Sequence, residues 1–246
     1  MFSSEDARFE YIYKFISRDK ITSGGAVANC ELLDHGILYV ARFNADGSGR
    51  WLPLVHSNGT LNAAYGFADQ GEVLIKARQA SDFLGATKMG RPELHTIDRE
   101  SGWVCCTLTN NSNRGQANNP SVDAANSRAN NTMGRIIRWR DTQMFPGGAF
   151  IWSRLLLAGD QANEREHAKG NIKGDIFGCP DSLSIGPGDL LWIQTNVHSS
   201  QLNQGEIKRF LTGPNMREIT GVLFTPRRHH PVQHCPTPWR IANRPR

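Results

Sequence analysis

Three acidic residues occur in segments that share one pattern, in which the acid is followed by a short apolar strand and a turn. The segments are RPELHTIDRESGWV, CPDSLSIGPGDLLWI and REITGVLFTP, and their acids are Glu93, Asp181 and Glu218. Carboxylates that share a narrow polar opening repel one another unless a cation compensates them. All-oxygen donors suit hard ions such as calcium or iron(III). The pattern is compatible with a metal site, but Pro-Glu and Pro-Asp are also ordinary strand-starting turns, and the pattern by itself favours that interpretation.

An Asn-rich stretch at residues 110–132 adds further candidates. The guanidinium of Arg128 could hold a phosphate through two hydrogen bonds, whereas a lone loop arginine is commonly solvated. Amide oxygens of neighbouring asparagines, Asn130 among them, could bind calcium or could equally cap turns. The stretch therefore predicts a long polar loop, and loops of this length in compact domains are often functional.

Other chemistries lack their motifs. The sequence contains neither a G-x-S-x-G elbow nor a phosphate-binding G-x-x-x-x-G-K-[ST] loop. Its five cysteines have no zinc-type spacing and indicate no disulfide framework. Cys179, next to Pro180-Asp181, is better explained as a small packed residue than as a ligand.

Charge and hydropathy limit the partners. The formal net charge of +5 comes from residues 227–246, which contain five arginines and no acid, so the body is neutral. Neither a nucleic-acid partner nor a membrane is expected, since no apolar run approaches the roughly 18 to 20 residues that a span requires. The N-terminus has no export signal pattern, which by itself predicts a cytoplasmic chain.

The elements that would position these residues are mostly strands. Short β-branched and aromatic runs bounded by Gly, Pro, Asn or Asp recur along the chain and indicate strands and hairpins. One exception is DQGEVLIKARQASDFLG, whose apolar spacing predicts a single inserted helix with Asp69 as N-cap and Gly85 as stop. At about 40 to 50 residues a propeller blade, the gap between Glu93 and Asp181 corresponds to about two blades and the gap between Asp181 and Glu218 to about one. This spacing predicts a β-propeller whose inner strands bring the three acids together.

Many ordered segments over residues 8–226 resemble the C-terminal part of PhoX-type alkaline phosphatases. They include LLDHGILYVARFNADGSGRWLPLV, ANSRANNTMGRIIRWR, GNIKGDIFGCPDSL and EIKRFLTGPNMREITGVLFTP. The resemblance implies a six-bladed propeller, a monomer exported to the periplasm or secreted, and hydrolysis of phosphate monoesters at iron and calcium ions. It also implies that Glu93, Asp181 and Glu218 are metal ligands and that Arg128 contacts phosphate.

The sequence departs from that family at several places. Asn130 stands where the family has an acid, and the segment expected to carry an iron-ligating cysteine is missing. Residues 1–226 are therefore predicted to be a partial propeller domain. Residues 227–246, which are rich in Pro, Arg and His, are predicted to be a disordered or frameshifted tail. A six-bladed ring of four-stranded blades needs about 24 strands, whereas the sequence indicates about 11 to 13. Because such a ring cannot close, we expect the isolated chain to be inactive. The alternatives are a non-catalytic calcium-binding scaffold and a lactonase-like metal-dependent propeller.

Overall fold

The computed structural model describes residues 1–142, 148–186, 190–197, 221–224 and 231–234. Glu218 lies outside these ranges. The described strands are β1 (Phe2–Ser4), β2 (Ile12–Ser17), β3 (Gly36–Phe43), β4 (Ser48–Pro53), β5 (Pro92–Ile97), β6 (Val104–Leu108), β7 (Arg135–Asp141), β8 (Ala149–Leu157), β9 (Gly178–Ile185), β10 (Leu191–Val197), β11 (Gly221–Phe224) and β12 (Pro231–His234). The helices are α1 (Gly25–Ala28), α2 (Gln70–Ile75) and α3 (Ala77–Phe83), with a 3-10 turn at Ala63–Tyr65.

Eight strands form one antiparallel sheet in the order β1-β2-β3-β4-β8-β7-β6-β5. It consists of two four-stranded meanders, β1 to β4 and β5 to β8, which are joined where β4 pairs with β8 over Ser48, Gly49 and Arg50. The β9–β10 and β11–β12 pairs are separate two-stranded sheets. The prediction of a mostly antiparallel β fold is confirmed, while closure into a propeller ring stays a prediction.

An aromatic core lies at the junction of the two meanders. Trp51 on β4 packs against Trp139 on β7 and Phe150 on β8, with ring centroids 6.3 and 4.9 Å away. Both Trp139 and Phe150 are buried. Because this cluster takes its members from both meanders, hydrophobic burial holds the two halves of the sheet together.

A second core lies beneath the helices. The predicted helix boundaries are confirmed: Asp69 Oδ1 accepts a hydrogen bond from Glu72 N at 2.9 Å, and Gly85 ends the segment with φ 67°. The segment is nevertheless two helices and not one, because Lys76 leaves helical geometry at φ −99° and ψ 33°. Val73 from α2 and Ala80 from α3 both reach the core.

The tail differs from the expectation of disorder at four residues, Pro231–His234, which form β12 against β11. Pro231 is the first residue of that strand, a position where the missing N–H of a proline is tolerated. The rest of the tail lies outside the described residues. Among the helices that are described, none is both long and apolar enough to cross a membrane.

Candidate active site

Glu93 and Asp181 lie on neighbouring strands. Glu93 is the second residue of β5, Asp181 belongs to β9, and β5 contacts β9. Asp181 is 1% exposed, while Glu93 is half-buried. The hydroxyl of Thr107, on β6, donates a hydrogen bond to the backbone carbonyl of Asp181, which ties β9 to the sheet that carries Glu93. The fold thus brings together two of the three carboxylates that the sequence pattern singled out.

The side chain of Glu93 is oriented by a neutral donor. Thr109, which is fully buried just after β6, donates its hydroxyl hydrogen to Glu93 Oε2 at 2.8 Å. A carboxylate held in this way keeps a second oxygen for another partner. Sequence reasoning missed Thr109, since a threonine at the end of a strand carries no chemical signal of its own.

Arg91 supplies positive charge next to both carboxylates. Its guanidinium forms a two-pronged contact with Asp6, with Nε 2.6 Å from Oδ1 and Nη2 2.8 Å from Oδ2. The hydrogen bond to Asp6 raises the pKa of Arg91, and the nearby charges of Glu93 and Asp181 raise it further. Arg91 also has a left-handed φ of 82°, which is rare for a residue other than glycine and marks local strain. The sequence signal that could have identified Arg91 as a site residue is its position directly before Pro92-Glu93.

Cys179 completes this group. It has a left-handed φ of 48°, its Sγ donates to Thr132 O at 3.2 Å, and Asn110 Nδ2 lies 3.5 Å from the sulfur. Burial raises the pKa of the Cys179 thiol, and Asp181 adds to this while Asn110 and Arg91 oppose it. The packed-residue interpretation agrees with a buried, protonated thiol. We call Arg91, Glu93, Thr109, Asn110, Cys179 and Asp181 the carboxylate cluster.

Arg128 is buried in the fold and not solvated. Its Nη1 donates to Ala158 O at 2.9 Å and to Lys169 O at 2.7 Å, and its Nη2 donates to Gly134 O. Burial lowers the pKa of Arg128 to about 10. Nε is buried and lacks a hydrogen-bond partner. The guanidinium therefore ties three loop segments together, and its contact with phosphate stays a prediction.

Asn130 occupies a turn beside Arg128. Its φ is 46°, a left-handed conformation that asparagine tolerates well, and its N–H donates to Arg114 O at 2.8 Å. The turn interpretation of this residue thus has direct support. Its assignment as a metal ligand stays a prediction.

The carboxylate oxygens of Glu93 and Asp181 are of the type that a hard cation prefers, but they are too few to complete its coordination. In the parts of the chain that the structure describes, no group of three or more His, Cys, Asp or Glu side chains is placed to hold a metal ion. Calcium takes about six to eight oxygen ligands. Glu93 and Asp181 could provide part of such a set, and the predicted ligand Glu218 lies outside the described residues.

Comparisons with known proteins agree on one family. The family model described as "Alkaline phosphatase PhoX" matches residues 1–235. The chain is similar to the solved structure of Pseudomonas fluorescens PhoX in complex with vanadate, a transition state analogue, at 39% identity and a TM-score of 0.83. That alignment covers 92% of this chain and 44% of the solved one, so this chain spans less than half the length of that relative. A search of curated proteins finds no match. On the extent of the family match and this identity, the chain belongs to the PhoX alkaline phosphatase family.

Proposed function

We propose that this chain carries part of the active site of a metal-dependent phosphatase that hydrolyses phosphate monoesters. The observation that supports it best is the convergence of Glu93 and Asp181 on neighbouring strands beside Arg91. The vanadate found in the related Pseudomonas fluorescens protein is chemically a phosphate analogue. A location in the periplasm or outside the cell is part of the same proposal.

Each residue has a distinct role in this proposal. Bound calcium and iron(III) would polarise the phosphate and stabilise the charge that develops on transfer. Glu93 and Asp181 would hold the ions, together with Glu218 and Asn130. Thr109 keeps the Glu93 carboxylate in one orientation, and Arg91 limits the repulsion between the two carboxylates while no cation is bound.

Arg128 is the proposed phosphate contact. Three carbonyls occupy three of its five N–H donors, and its buried Nε remains for an anion. A guanidinium held by the backbone in this way is already ordered before substrate binds. Such an arrangement avoids an entropic cost on binding.

The isolated chain is expected to be inactive. The described carboxylates supply fewer ligands than calcium or iron(III) requires, and the chain spans 44% of the solved relative. A second candidate is a non-catalytic, calcium-stabilised scaffold. The three carbonyl contacts of Arg128 favour it, because they give this residue a structural role without any substrate.

The test compares metal content with turnover. The full chain is prepared with and without calcium and iron, and p-nitrophenyl phosphate hydrolysis is measured alongside bound metal. We expect calcium to bind weakly, Glu93→Gln and Asp181→Asn to abolish that binding, and Glu166→Gln, at a side chain that is 88% exposed, to leave it unchanged. Equal calcium binding by wild type and both cluster variants would overturn the assignment. Turnover that Glu93→Gln abolishes would overturn the expectation of inactivity.

A further inference from the structure

Arg135, the first residue of β7, is a buried cation with incomplete hydrogen bonding. It is 0% exposed, and its Nη2 donates to Asn126 Oδ1 at 3.2 Å. Its Nε and Nη1 are buried and have no partner. Leaving a buried guanidinium without partners is strongly unfavourable, so this environment calls for a compensating group.

The polar atoms around Arg135 that lack partners are also donors. Asn111 and Asn131 are fully buried, each uses its Oδ1 to accept a backbone N–H, and each has an Nδ2 with no partner. Arg114 Nε is likewise buried without a partner. Water would fit poorly here, because its two hydrogens would need acceptors, whereas an anion only accepts.

The local charge is unbalanced in the same direction. Burial lowers the pKa of Arg135 to about 9, and the nearby charges of Arg128, Arg114 and Arg154 lower it further, while Asp123 alone opposes them. Asp123 is itself engaged by Arg114 Nη1 at 3.2 Å and by both nitrogens of Asn126. Asp123, whose side chain is 40% exposed, thus faces the charge of three buried arginines, Arg114, Arg128 and Arg135.

The space next to Arg135 is small. A methyl group built on Gly90 would lie 3.1 Å from Arg135 Nη2 and 3.7 Å from Asn111 Cβ. Gly90, Asn111 and Arg135 therefore adjoin one another, with no side chain at Gly90 to fill the space beside Arg135 Nη2. A monatomic anion suits such a place better than a phosphate ester does.

We propose that a halide-sized inorganic anion, chloride under ordinary conditions, binds between Arg135 and the Asn111 amide and holds the Asn-rich loop to the start of β7. This site is independent of the proposed phosphatase chemistry. The anion neutralises a structural cation, accepts the orphaned N–H groups and stabilises the folded state as any ligand of the native form does.

The first experiment follows the unfolding midpoint of the full chain as bromide or chloride replaces gluconate at constant ionic strength. We expect the midpoint to rise with the logarithm of halide concentration, and Arg135→Met to lose this rise. Arg138→Met, on the same strand and packed against Trp103, should retain it. An equal halide dependence in all three proteins, or none in wild type, would overturn the site.

A second variant remains informative if Arg135→Met fails to fold. Asn111→Asp keeps the oxygen that accepts from Asn113 N and places a permanent negative charge where the anion would sit. This variant should be more stable than wild type in gluconate and insensitive to halide. In crystals grown with bromide, an anomalous peak beside Arg135 Nη1 would support the proposal directly. A variant that still responds to halide like wild type, or crystals without this peak, would refute it.

Discussion

The hydroxyl of Thr109 donates a hydrogen bond to Glu93 Oε2 at 2.8 Å, so a buried residue at the end of β6 fixes the orientation of a carboxylate on β5. The strands β5 and β6 pair directly, with Pro92 opposite Leu108. The position of the carboxylate is thus a property of the strand pairing and does not depend on a flexible loop.

Thr109→Val removes this hydrogen bond while keeping the shape of the side chain. Groups that orient a metal ligand typically influence metal affinity by about 10- to 100-fold, so we expect calcium affinity to fall by about 10-fold. Isothermal titration of calcium into the full chain measures the effect. Thr109→Ser, which retains the hydroxyl, should restore most of the affinity, and an unchanged affinity in Thr109→Val would contradict the orienting role.

Arg128→Met should destabilise the fold even without substrate. It leaves the carbonyls of Ala158, Lys169 and Gly134 without their donors, and an unsatisfied buried group costs about 1 to 3 kcal/mol. We expect the free energy of unfolding in urea to fall by about 3 kcal/mol. Arg99→Met, at an exposed turn position, is the matched control. Similar stability of the two variants would show that the three carbonyl contacts contribute little.

His95 should make the protein less stable in acid. Burial lowers the pKa of His95 from 6.5 to about 4, and the ring packs against Trp139 at 5.7 Å. Between pH 6.5 and pH 4 the unfolded chain takes up a proton that the folded chain does not, so stability falls as pH falls through this window. His95→Phe should remove about 3 kcal/mol of the difference in unfolding free energy between pH 7 and pH 4. The same pH dependence in both proteins would rule out His95 as its source.

Asp69→Ala should weaken the start of α2. The Asp69 carboxylate accepts the Glu72 N–H at 2.9 Å, and loss of such a cap costs about 1 kcal/mol. Asn is a comparably good cap, so Asp69→Asn should stay within a few tenths of a kcal/mol of wild type. Urea denaturation of the three proteins checks the order, and equal losses in both variants would point to the charge instead of the cap.

Local signals account for what the sequence could predict. Asp69 and Gly85 define the ends of the helical segment through capping and a left-handed turn, which depend only on neighbouring residues. The repeated Pro-acid pattern located Glu93 and Asp181, since strand starts carry a strong local signature. The break at Lys76 was not predictable, because it serves the burial of both Val73 and Ala80 in one tertiary core.

The Asn-rich loop shows where this reasoning stopped. Its composition is that of a solvated segment, yet Asn111, Arg114, Asn126 and Asn131 are buried. Burial of polar residues depends on partners supplied by distant segments, such as the Lys88 carbonyl, which accepts from Asn126 Nδ2 at 3.0 Å. Sequence spacing contains no information on such pairs.

The junction between β4 and β8 also determines what optical spectroscopy would detect. Trp51, Trp139 and Trp152 lie in the aromatic core at this junction. Three of the six tryptophans of the chain lie there, so intrinsic tryptophan emission should report in part on whether the two meanders are associated. Far-ultraviolet circular dichroism would report instead on the strands within each meander, and a mismatch between the two signals during denaturation would reveal halves that separate before they unfold.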